Sequence, residues 1–366
     1  MLLTAEQKCL LWLSNAEVTP GHVQKLIQEF GSALEIWDAF GSEVGPAFPP
    51  GVQLALARTH SHAALDDLQE KLDRKNVHLL FRGDPSYPEL LDSIQDPPYM
   101  LYYAGRLSCL EHPMVALVGT RQASQYGRDM AAALSAGLCK AGVCVVSGLA
   151  RGIDAAAHEA ALQSGGRTVG ILGSGINVPY PPEHTQLLRR IAGGVGLIIS
   201  EYPLDAGPMA FHFPHRNRII SGLSQGVVFV EGKIKSGGMH TVHAALMQGR
   251  EVFAVPGYVG TSGSEGPHAI LREGARIITC AEDLLDDLGL KKEESKREKV
   301  NMVRLNTLQS RIVGCLKKER LTPQEIADQL NCSASDVITE ISTLEILGVV
   351  SREAGNRFYL PVSAGQ

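Results

Sequence analysis

Seven short apolar runs, separated by amphipathic stretches, constrain the fold of this chain more than any other feature. Most of the runs are rich in β-branched residues and end in glycine, serine or glutamate. Strands that are apolar without interruption are buried on both faces, so helices must pack on either side of their sheet. The alternation predicts a parallel, doubly wound α/β domain with a Rossmann-like fold over residues 76–286. The runs occupy residues 76–81, 115–119, 143–148, 168–173, 196–201, 227–231 and 251–257.

Helical patterns flank this domain on both sides. Residues 1–70 have helical periodicity and resemble a sterile-alpha-motif or helix-hairpin-helix module, which binds DNA backbones or proteins; a purely structural helical cap fits equally well. Within it, Thr19 and Pro20 are expected to begin a helix that Gly31 ends. A mixed-charge linker is expected over 287–304. Three helical periods and a hairpin pattern then predict a winged-helix domain over 305–362.

Composition limits the kinds of partner. The formal net charge of -5 and the pI of 6.2 exclude a uniformly basic surface, so any nucleic-acid site must be local. The seven cysteines include no C-x-x-C pair, which argues against a disulfide framework and against a thiolate zinc site. Charged residues interrupt the first apolar stretch, and no run is long enough to span a bilayer. We therefore expect a cytoplasmic protein with no membrane contact, metal or cofactor.

The segment 211–221 reads F-H-F-P-H-R-N-R-I-I-S and contains two arginines, two histidines and two phenylalanines. No aspartate or glutamate occurs anywhere from 206 to 230. Aromatic rings beside guanidinium groups, with no carboxylate near them, are typical of a surface for an anion that carries flat groups. The segment therefore predicts a site for single-stranded nucleic acid.

Glycine-rich loops follow several of the predicted strands. In a doubly wound sheet, ligands bind outside the carboxyl ends of the strands, where these loops lie. Glycines at helix N-termini expose backbone N–H groups to an anion, and the helix dipole adds to the attraction. Any one of these glycines could equally serve a tight turn, but together they predict a phosphate-binding edge. The loops contain Gly119-Thr120-Arg121, Gly148 to Gly152, Gly173-Ser174-Gly175 and Ser236-Gly237-Gly238.

Arginines are the candidate phosphate ligands because the planar guanidinium matches phosphate oxygens. Arg121 follows the first strand of the parallel set. Arg216 and Arg218 are two positions apart, so on a helix they point to different sides, one towards phosphate and the other into the fold. Asn217 either caps a helix or contacts a base edge, and Phe213 is either a stacking platform or a core residue.

The pair Asp154 and His158 lies at i, i+4 spacing on one helix face. That spacing suits an acid–base pair or half of a metal site, but no third ligand stands at a natural distance. A helix-start carboxylate and a packed histidine are the preferred interpretation. Neither a Walker A sequence nor a G-x-S-x-G elbow occurs, and we expect no catalytic residues and no enzymatic activity.

Several motifs in the same order resemble the DNA-processing protein A (DprA/Smf) family over most of 76–286. They include G-T-R-x-x-S-x-Y-G at 119–127, S-G-L-A-R-G-I-D at 147–154, F-P-H-R-N-R-I-I-S-G-L-S at 213–224 and S-G-G-x-x-T at 236–241. The resemblance implies a homodimer that binds single-stranded DNA and protects incoming strands in natural transformation. It also implies loading of a RecA-type recombinase onto DNA coated with single-strand-binding protein.

The resemblance also implies the site residues. It makes Arg121 a phosphate ligand, Phe213 a base contact, and Arg216, Asn217 and Arg218 the core of the DNA pocket. The further DNA-binding residues that we expect are Ser124, Gly148, Gly173, Lys233, Ser236 and Gly238. The sequence departs from the family at His268, where asparagine is more usual.

Two other functions remain open on the sequence. The stretch P-G-Y-V-G-T-S-G-S-E at 256–265 resembles the signature of phosphoribohydrolases, which would make the protein a nucleotide-hydrolysing enzyme. In this stretch the glutamate, Glu265, is displaced by one residue and Tyr258 replaces a glycine. Alternatively, the winged helix would be the main DNA reader, but its presumed recognition helix at 333–347 has three acidic residues and no Lys or Arg, which would repel phosphates. We expect that module to bind protein or to support the assembly.

Overall fold

The computed structural model of the chain describes residues 3–41, 48–290, 306–317, 319–346, 349–353 and 355–360. The chain divides into two compact units, Met1–Lys291 and Lys292–Gln366. Most of the charged linker expected at 287–304 lies outside the described residues. No helix in the described part of the chain is both long enough and apolar enough to cross a membrane.

Five α-helices precede the sheet in the described part of the chain, and the second has the ends that the sequence predicts. Thr19 occupies its N-cap, Pro20 lies in its first turn, and Gly31 ends it with a φ of 100°, which suits glycine. The Trp12 ring packs edge-on against Trp37, with 4.9 Å between the ring centroids. The helices are α1 (Ala5–Asn15), α2 (Pro20–Phe30), α3 (Ala33–Ala39), α4 (Pro50–Thr59) and α5 (His62–Arg74).

A nine-stranded sheet forms the centre of the first unit, with the order β1-β2-β6-β5-β4-β3-β7-β8-β9. The seven strands from β3 to β9 pair in parallel, as the sequence predicts for most of them. The strands are β1 (His78–Phe81), β2 (Met100–Gly105), β3 (Met114–Val118), β4 (Cys144–Ser147), β5 (Thr168–Leu172), β6 (Leu197–Ser200), β7 (Gly226–Phe229), β8 (Glu251–Ala254) and β9 (Arg276–Ile277).

The first apolar run, 76–81, was wrongly assigned to the parallel set. Its strand β1 pairs antiparallel with β2, and β2 pairs antiparallel with β6. A parallel connection needs a long crossover, usually a helix packed on the sheet. Between β1 and β2 there is only the four-residue helix α6 (Glu89–Asp92), so the chain turns back. The sequence pattern also missed β2 and the two-residue strand β9.

Helices cover both faces of the sheet. One face carries α7 (Gln125–Lys140), α8 (Ile153–Gln163) and α13 (Ala281–Asp287), and α9 (Thr185–Gly193) packs near β5 and β6. The other face carries α10 (His212–Leu223), α11 (Gly237–Met247) and α12 (Glu265–Arg272). The chain runs outward from β3 to β6 and returns through α10 to β7, on the other side of β3. The strand order therefore reverses between β3 and β7.

The second unit has its own core. Side chains from three helices and a hairpin form it, among them Ile312, Ile326, Ile341 and Phe358. The elements are α14 (Thr307–Leu316), α15 (Pro323–Leu330), α16 (Ala334–Ile346) and the antiparallel pair β10 (Ser351–Glu353) and β11 (Arg357–Tyr359). This order of elements is the one expected from the sequence; the winged-helix assignment and the domain boundaries stay predictions.

Candidate nucleic-acid interface

An open cavity of about 750 Å³ lies at the carboxyl edge of the parallel strands, beside the reversal between β3 and β7. Crevices at such reversals are where doubly wound sheets bind their ligands. The loop after β3, helix α10 and the first turns of α11 form its walls. Six residues expected from the sequence line it: Arg121, Phe213, Arg216, Asn217, Ser236 and Gly238.

Helix α10 sorts the two arginines of the segment 211–221 onto different sides, as the sequence predicts. Arg216 lines the cavity. Arg218 does not: its Nη2 donates to Glu201 Oε1 at 2.6 Å, and its Nε lies 3.6 Å from Asp96 Oδ2. Arg218 therefore lies outside the cavity, and the two carboxylates balance its charge there. Its role in DNA binding stays a prediction.

Arg216 is almost completely buried at the floor of the cavity, with 5% of its surface exposed. Its Nη1 donates to the carbonyl oxygens of Gly148, at 2.9 Å, and of Ile171, which stand at the ends of neighbouring strands. Its Nε donates to Asn217 Oδ1 at 3.2 Å. Burial lowers the pKa of Arg216 to about 10, although Asp154 opposes the shift, so the guanidinium stays charged at neutral pH. Arg216 thus supplies positive charge and ties two strands together.

The loop after β4 is shaped around this guanidinium. A Cβ at Gly148 would stand 2.7 Å from Arg216 Nη2, so a larger residue does not fit there. The Oδ2 of Asp154 accepts hydrogen bonds from the N–H groups of Gly148, at 3.1 Å, and Ala150, at 3.3 Å. Burial raises the pKa of the Asp154 carboxyl, and Arg216 acts against that rise. Asp154 therefore holds the loop and balances the charge of Arg216.

His158 is packed in the core, as the sequence analysis preferred. Its Nδ1 lies 2.7 Å from Thr168 Oγ1, whose own hydrogen goes to the Val145 carbonyl. Because the Thr168 hydroxyl donates to that carbonyl, it is left to accept from His158 Nδ1. Burial lowers the pKa of His158 to about 3. Among the described residues no group of three or more histidine, cysteine or acidic side chains could hold a metal ion.

Aromatic rings and an arginine meet at the mouth of the cavity. The half-buried Phe213 lies over Gly173, where a Cβ would stand 2.8 Å from the ring. The ring centroids of Phe213 and Tyr180 are 5.3 Å apart, and the guanidinium carbon of Arg121 is 5.7 Å from the Phe213 centroid. Arg121 is exposed and forms no ion pair with any carboxylate in the described part of the chain. Its charge is therefore free to meet an anion beside the ring.

The N-terminus of α11 faces the cavity, and the hydroxyl of its N-cap residue has no hydrogen-bond partner in the described part of the chain. Ser236 occupies the N-cap but makes no capping hydrogen bond, and its buried Oγ has no partner. Gly238 packs against Gly119, since a Cβ at Gly238 would stand 3.1 Å from the Gly119 Cα. The N–H groups of Gly237 and Gly238 and the helix dipole favour an anion at this end.

At the N-terminus of α7, by contrast, the Glu231 carboxylate already occupies the place that an anion would take. Ser124 caps this helix by accepting from the Gly127 N–H at 3.0 Å. The Oε2 of Glu231 accepts from the Ser124 N–H at 2.9 Å and from its Oγ at 3.1 Å. Ser124 lies outside the residues that line the cavity, as does the exposed Lys233 in the loop before α11. Their DNA-binding roles stay predictions.

The family model described as DNA recombination-mediator protein A matches residues 78–289, more than half of the chain. The chain belongs to this family. Protein Smf from Synechocystis sp. is 33% identical over 95% of this chain and 97% of its own length. Protein Smf from Escherichia coli is 44% identical over 59% of this chain, and the match spans 58% of that relative's length.

Two solved structures of family members resemble this one. The X-ray structure of DNA processing protein A from Streptococcus pneumoniae has a TM-score of 0.67 and 34% identity, covering 78% of this chain and 99% of that one. A structure that describes the single-stranded DNA binding mode of DNA processing protein A from Helicobacter pylori has a TM-score of 0.53 and 30% identity. That match covers 58% of this chain and 95% of the other.

Sequence reasoning missed several residues that line the cavity in this family member. His240 and Thr241 lie in the first turns of α11, and Tyr180 pairs with Phe213. Helical periodicity counted from the N-cap Ser236 would have placed His240 and Thr241 near the same edge. The pairing of Tyr180 with Phe213 could not be read from the sequence, because it depends on how the loop after β5 folds back.

The departure from the family at His268 has a local role. Its Nε2 lies 3.0 Å from the Gly257 carbonyl oxygen and so holds the loop 256–264. Glu265, the carboxylate of the hydrolase alternative, is exposed at the start of α12 and is not among the residues that line the cavity. The geometry therefore gives no support to that alternative.

Proposed function

We propose that this protein binds single-stranded DNA in the cavity beside β3 and acts as a recombination mediator on incoming strands. The observation that carries the proposal is Arg121, an exposed and unpaired guanidinium set against the Phe213 ring. A DNA strand offers what this arrangement takes: a phosphate for the cation and a base face for the ring. The relative from Helicobacter pylori, described for its single-stranded DNA binding mode, supports the proposal.

Each wall of the cavity suits one part of a nucleotide. The buried Arg216 provides positive charge at the floor, and the open N-terminus of α11 provides N–H donors and the Ser236 hydroxyl. Phe213 and Tyr180 provide stacking surface, worth about 1–3 kcal/mol for each base. Because paired bases in a duplex are stacked on one another, an unpaired strand is the better ligand.

We further propose a homodimer, acting in the cytoplasm, that loads a RecA-type recombinase and meets single-strand-binding protein on the DNA. Exposed apolar side chains late in the sheet domain support the dimer: Met247, Tyr258, Val259 and Ile277 are all more than half exposed. Such side chains are usual at the centre of homodimer interfaces. The seven unpaired cysteines suit a reducing compartment.

The flanking elements have separate proposed roles. We interpret α1 to α5 as a helical module of the sterile-alpha-motif kind and the second unit as a winged helix that contacts protein. The acidic side chains of α16 support this interpretation, because they would repel the phosphates of DNA. One of them, Glu340, instead accepts hydrogen bonds within the unit, from Asn306 at 3.1 Å and from Gln309 at 2.7 Å. Tight binding of duplex DNA by a fragment of residues 304–366 would contradict it.

The DNA site is tested by fluorescence anisotropy with oligo-dT and with a duplex of equal length across a salt series. We expect tighter binding of oligo-dT. Arg121→Ala should weaken that binding about 5- to 20-fold and flatten the log–log salt slope by about 0.7, the share of one phosphate contact. The control is Arg189→Ala, which removes an exposed arginine of α9 outside the cavity. Equal affinity for duplex, or an Arg121→Ala variant that binds like the control, would overturn the proposal.

A further inference from the structure

A second cavity, of about 320 Å³, lies in the first unit between the loop joining α1 to α2, strand β6 and the start of α10. It uses residues of α10 that do not line the DNA cavity, among them His212. Its volume is at the small end of the range for ligand pockets, roughly 300–1,000 Å³. The ionisable and aromatic residues that line it include Glu17, Tyr99, Glu201, Tyr202, Phe211 and His212.

His212 is the most unusual group in this cavity. Only 1% of its surface is exposed, yet neither ring nitrogen has a hydrogen-bond partner. The Tyr202 ring stacks on it with 3.8 Å between centroids, which fixes the imidazole in place. A buried polar atom without a partner carries a desolvation cost that no hydrogen bond offsets. A ligand in the cavity that bonds to the imidazole would recover part of that cost.

Two carboxylates line the cavity together with the imidazole. Glu17 Oε2 lies 3.6 Å from His212 Nε2, too far for a good hydrogen bond, and the Glu17 side chain is 46% exposed. Glu201 bonds to Arg218 through Oε1, while its buried Oε2 has no hydrogen-bond partner. His215 Nδ1 approaches this Oε2 at 3.5 Å. One oxygen of each glutamate is therefore open to a hydrogen-bond donor.

The local charge is negative. Arg218 lies beside two carboxylates, Glu201 and Asp96, and can balance only one of them. Glu17 adds another negative charge at the cavity itself. Three carboxylates thus stand around the cavity beside this one arginine. Their negative charge favours a cation over an anion.

The residues that line the cavity indicate which class of cation fits it. The aromatic rings of Tyr99, Tyr202 and Phe211 line the same cavity as the carboxylates, and the Phe211 side chain is 65% exposed. Aromatic faces attract ammonium and guanidinium groups and also cover the apolar stem of an organic cation. A bare metal ion would need more oxygen or nitrogen ligands than these walls offer. We propose that this cavity binds a small organic cation through an alkylammonium or guanidinium group.

The test is isothermal titration calorimetry of the full chain without DNA, so that it does not depend on the proposed function. The probes are n-butylamine and agmatine, with 1-butanol and butyrate as the neutral and anionic comparators. We expect saturable binding of one cation per chain and no binding of either comparator. Absence of cation binding, or equal binding of 1-butanol, would overturn the proposal.

Variants of two cavity residues locate the binding. Glu17→Gln should weaken cation binding about fivefold or more, because it removes a charge that faces the ligand. The matched control is Glu29→Gln, an exposed glutamate of α2 outside the cavity. His212→Phe keeps a ring against Tyr202 and should fold at least as stably, but it should lose affinity. Cation binding unchanged in both cavity variants would place it elsewhere and refute the assignment.

One further comparison separates two sources of the same chemical group. N-acetyl-arginine amide carries the guanidinium as it occurs on a protein side chain, whereas agmatine is a free small molecule. Binding of agmatine alone would identify a free organic cation as the ligand. Binding of both probes at the same site would identify an arginine side chain as an equally good occupant.

Discussion

Arg216 shows how one residue can serve the fold and the site together. Its guanidinium bridges the carbonyl groups of Gly148 and Ile171 and faces the buried Asp154 carboxyl, so it closes the sheet edge as well as the cavity floor. Arg121, at the mouth, makes no such contacts with the fold. The two arginines should therefore respond very differently to substitution.

Arg216→Ala should lower the free energy of unfolding by about 3–5 kcal/mol, since it leaves Asp154 buried without its positive partner. Urea unfolding followed by circular dichroism measures this loss. Arg121→Ala, the exposed comparison, should change the free energy of unfolding by less than about 0.5 kcal/mol. If the two variants unfold at the same urea concentration, the structural role given to Arg216 is wrong.

His158 should make stability depend on acid pH. Its folded pKa, about 3, is below the value of about 6.5 for an unfolded histidine, because burial, the nearby His184 and Arg216 all disfavour its charge. The contribution is therefore complete above pH 6.5 and is lost as the pH falls towards 3. Between pH 7 and pH 5 this group alone should cost about 2 kcal/mol.

The measurement compares urea midpoints at pH 7 and pH 5 for the unmodified protein and for His158→Gln. The variant should lose less stability on acidification, because it has no imidazole to protonate when it unfolds. The control, His243→Gln, changes an exposed histidine of α11 and should follow the unmodified protein. Identical pH dependence in all three proteins would show that His158 is not the responsive group.

Among the elements, the helix N-termini at the cavity edge divide into two kinds. The N-terminus of α7 is capped by Ser124 and already receives the Glu231 carboxylate. The N-terminus of α11 begins with Ser236, whose hydroxyl caps nothing and has no partner. Only the second end leaves its dipole and donors for a ligand.

Matched serine substitutions test this division. Ser124→Ala should cost about 1 kcal/mol of stability, the usual value of an N-cap, and should weaken oligo-dT binding less than Ser236→Ala does. Ser236→Ala should leave stability unchanged and weaken oligo-dT binding about three- to tenfold, the worth of one hydrogen bond. Thermal unfolding and anisotropy report the two effects; the reverse pattern would exchange the roles of the helix ends.

The same elements show which parts of the structure could be predicted from the sequence. The strands and glycine loops of the parallel set could be predicted, because buried runs and turn residues are local signals. The opposite placement of Arg216 and Arg218 followed from helical geometry alone. Pairing of β2 with β6 could not be predicted, nor could the meeting of Glu17 with His212, because both depend on segments far apart in sequence.

At the scale of the whole molecule, the two units have separate cores, and every residue that lines the cavity beside β3 belongs to the first. A chain that ends at Lys291 should therefore bind oligo-dT within about twofold of the full chain, since α16 has no Lys or Arg and would add few phosphate contacts. Anisotropy of the two proteins at one salt concentration checks this. A loss of tenfold or more would mean that the second unit contributes to the site.

The buried position of Arg216 affects the entropy change when any nucleic-acid strand binds in the cavity above it. Carbonyl groups already hold its side chain before a ligand arrives, so its rotational freedom, worth up to about 2 kcal/mol for an arginine, is lost during folding and not during binding. Only exposed groups such as Arg121 still have freedom to lose. The unfavourable entropy of association should therefore come mainly from ordering the nucleic-acid strand and the side chains at the cavity mouth, because Arg216 at the floor is already ordered in the free protein.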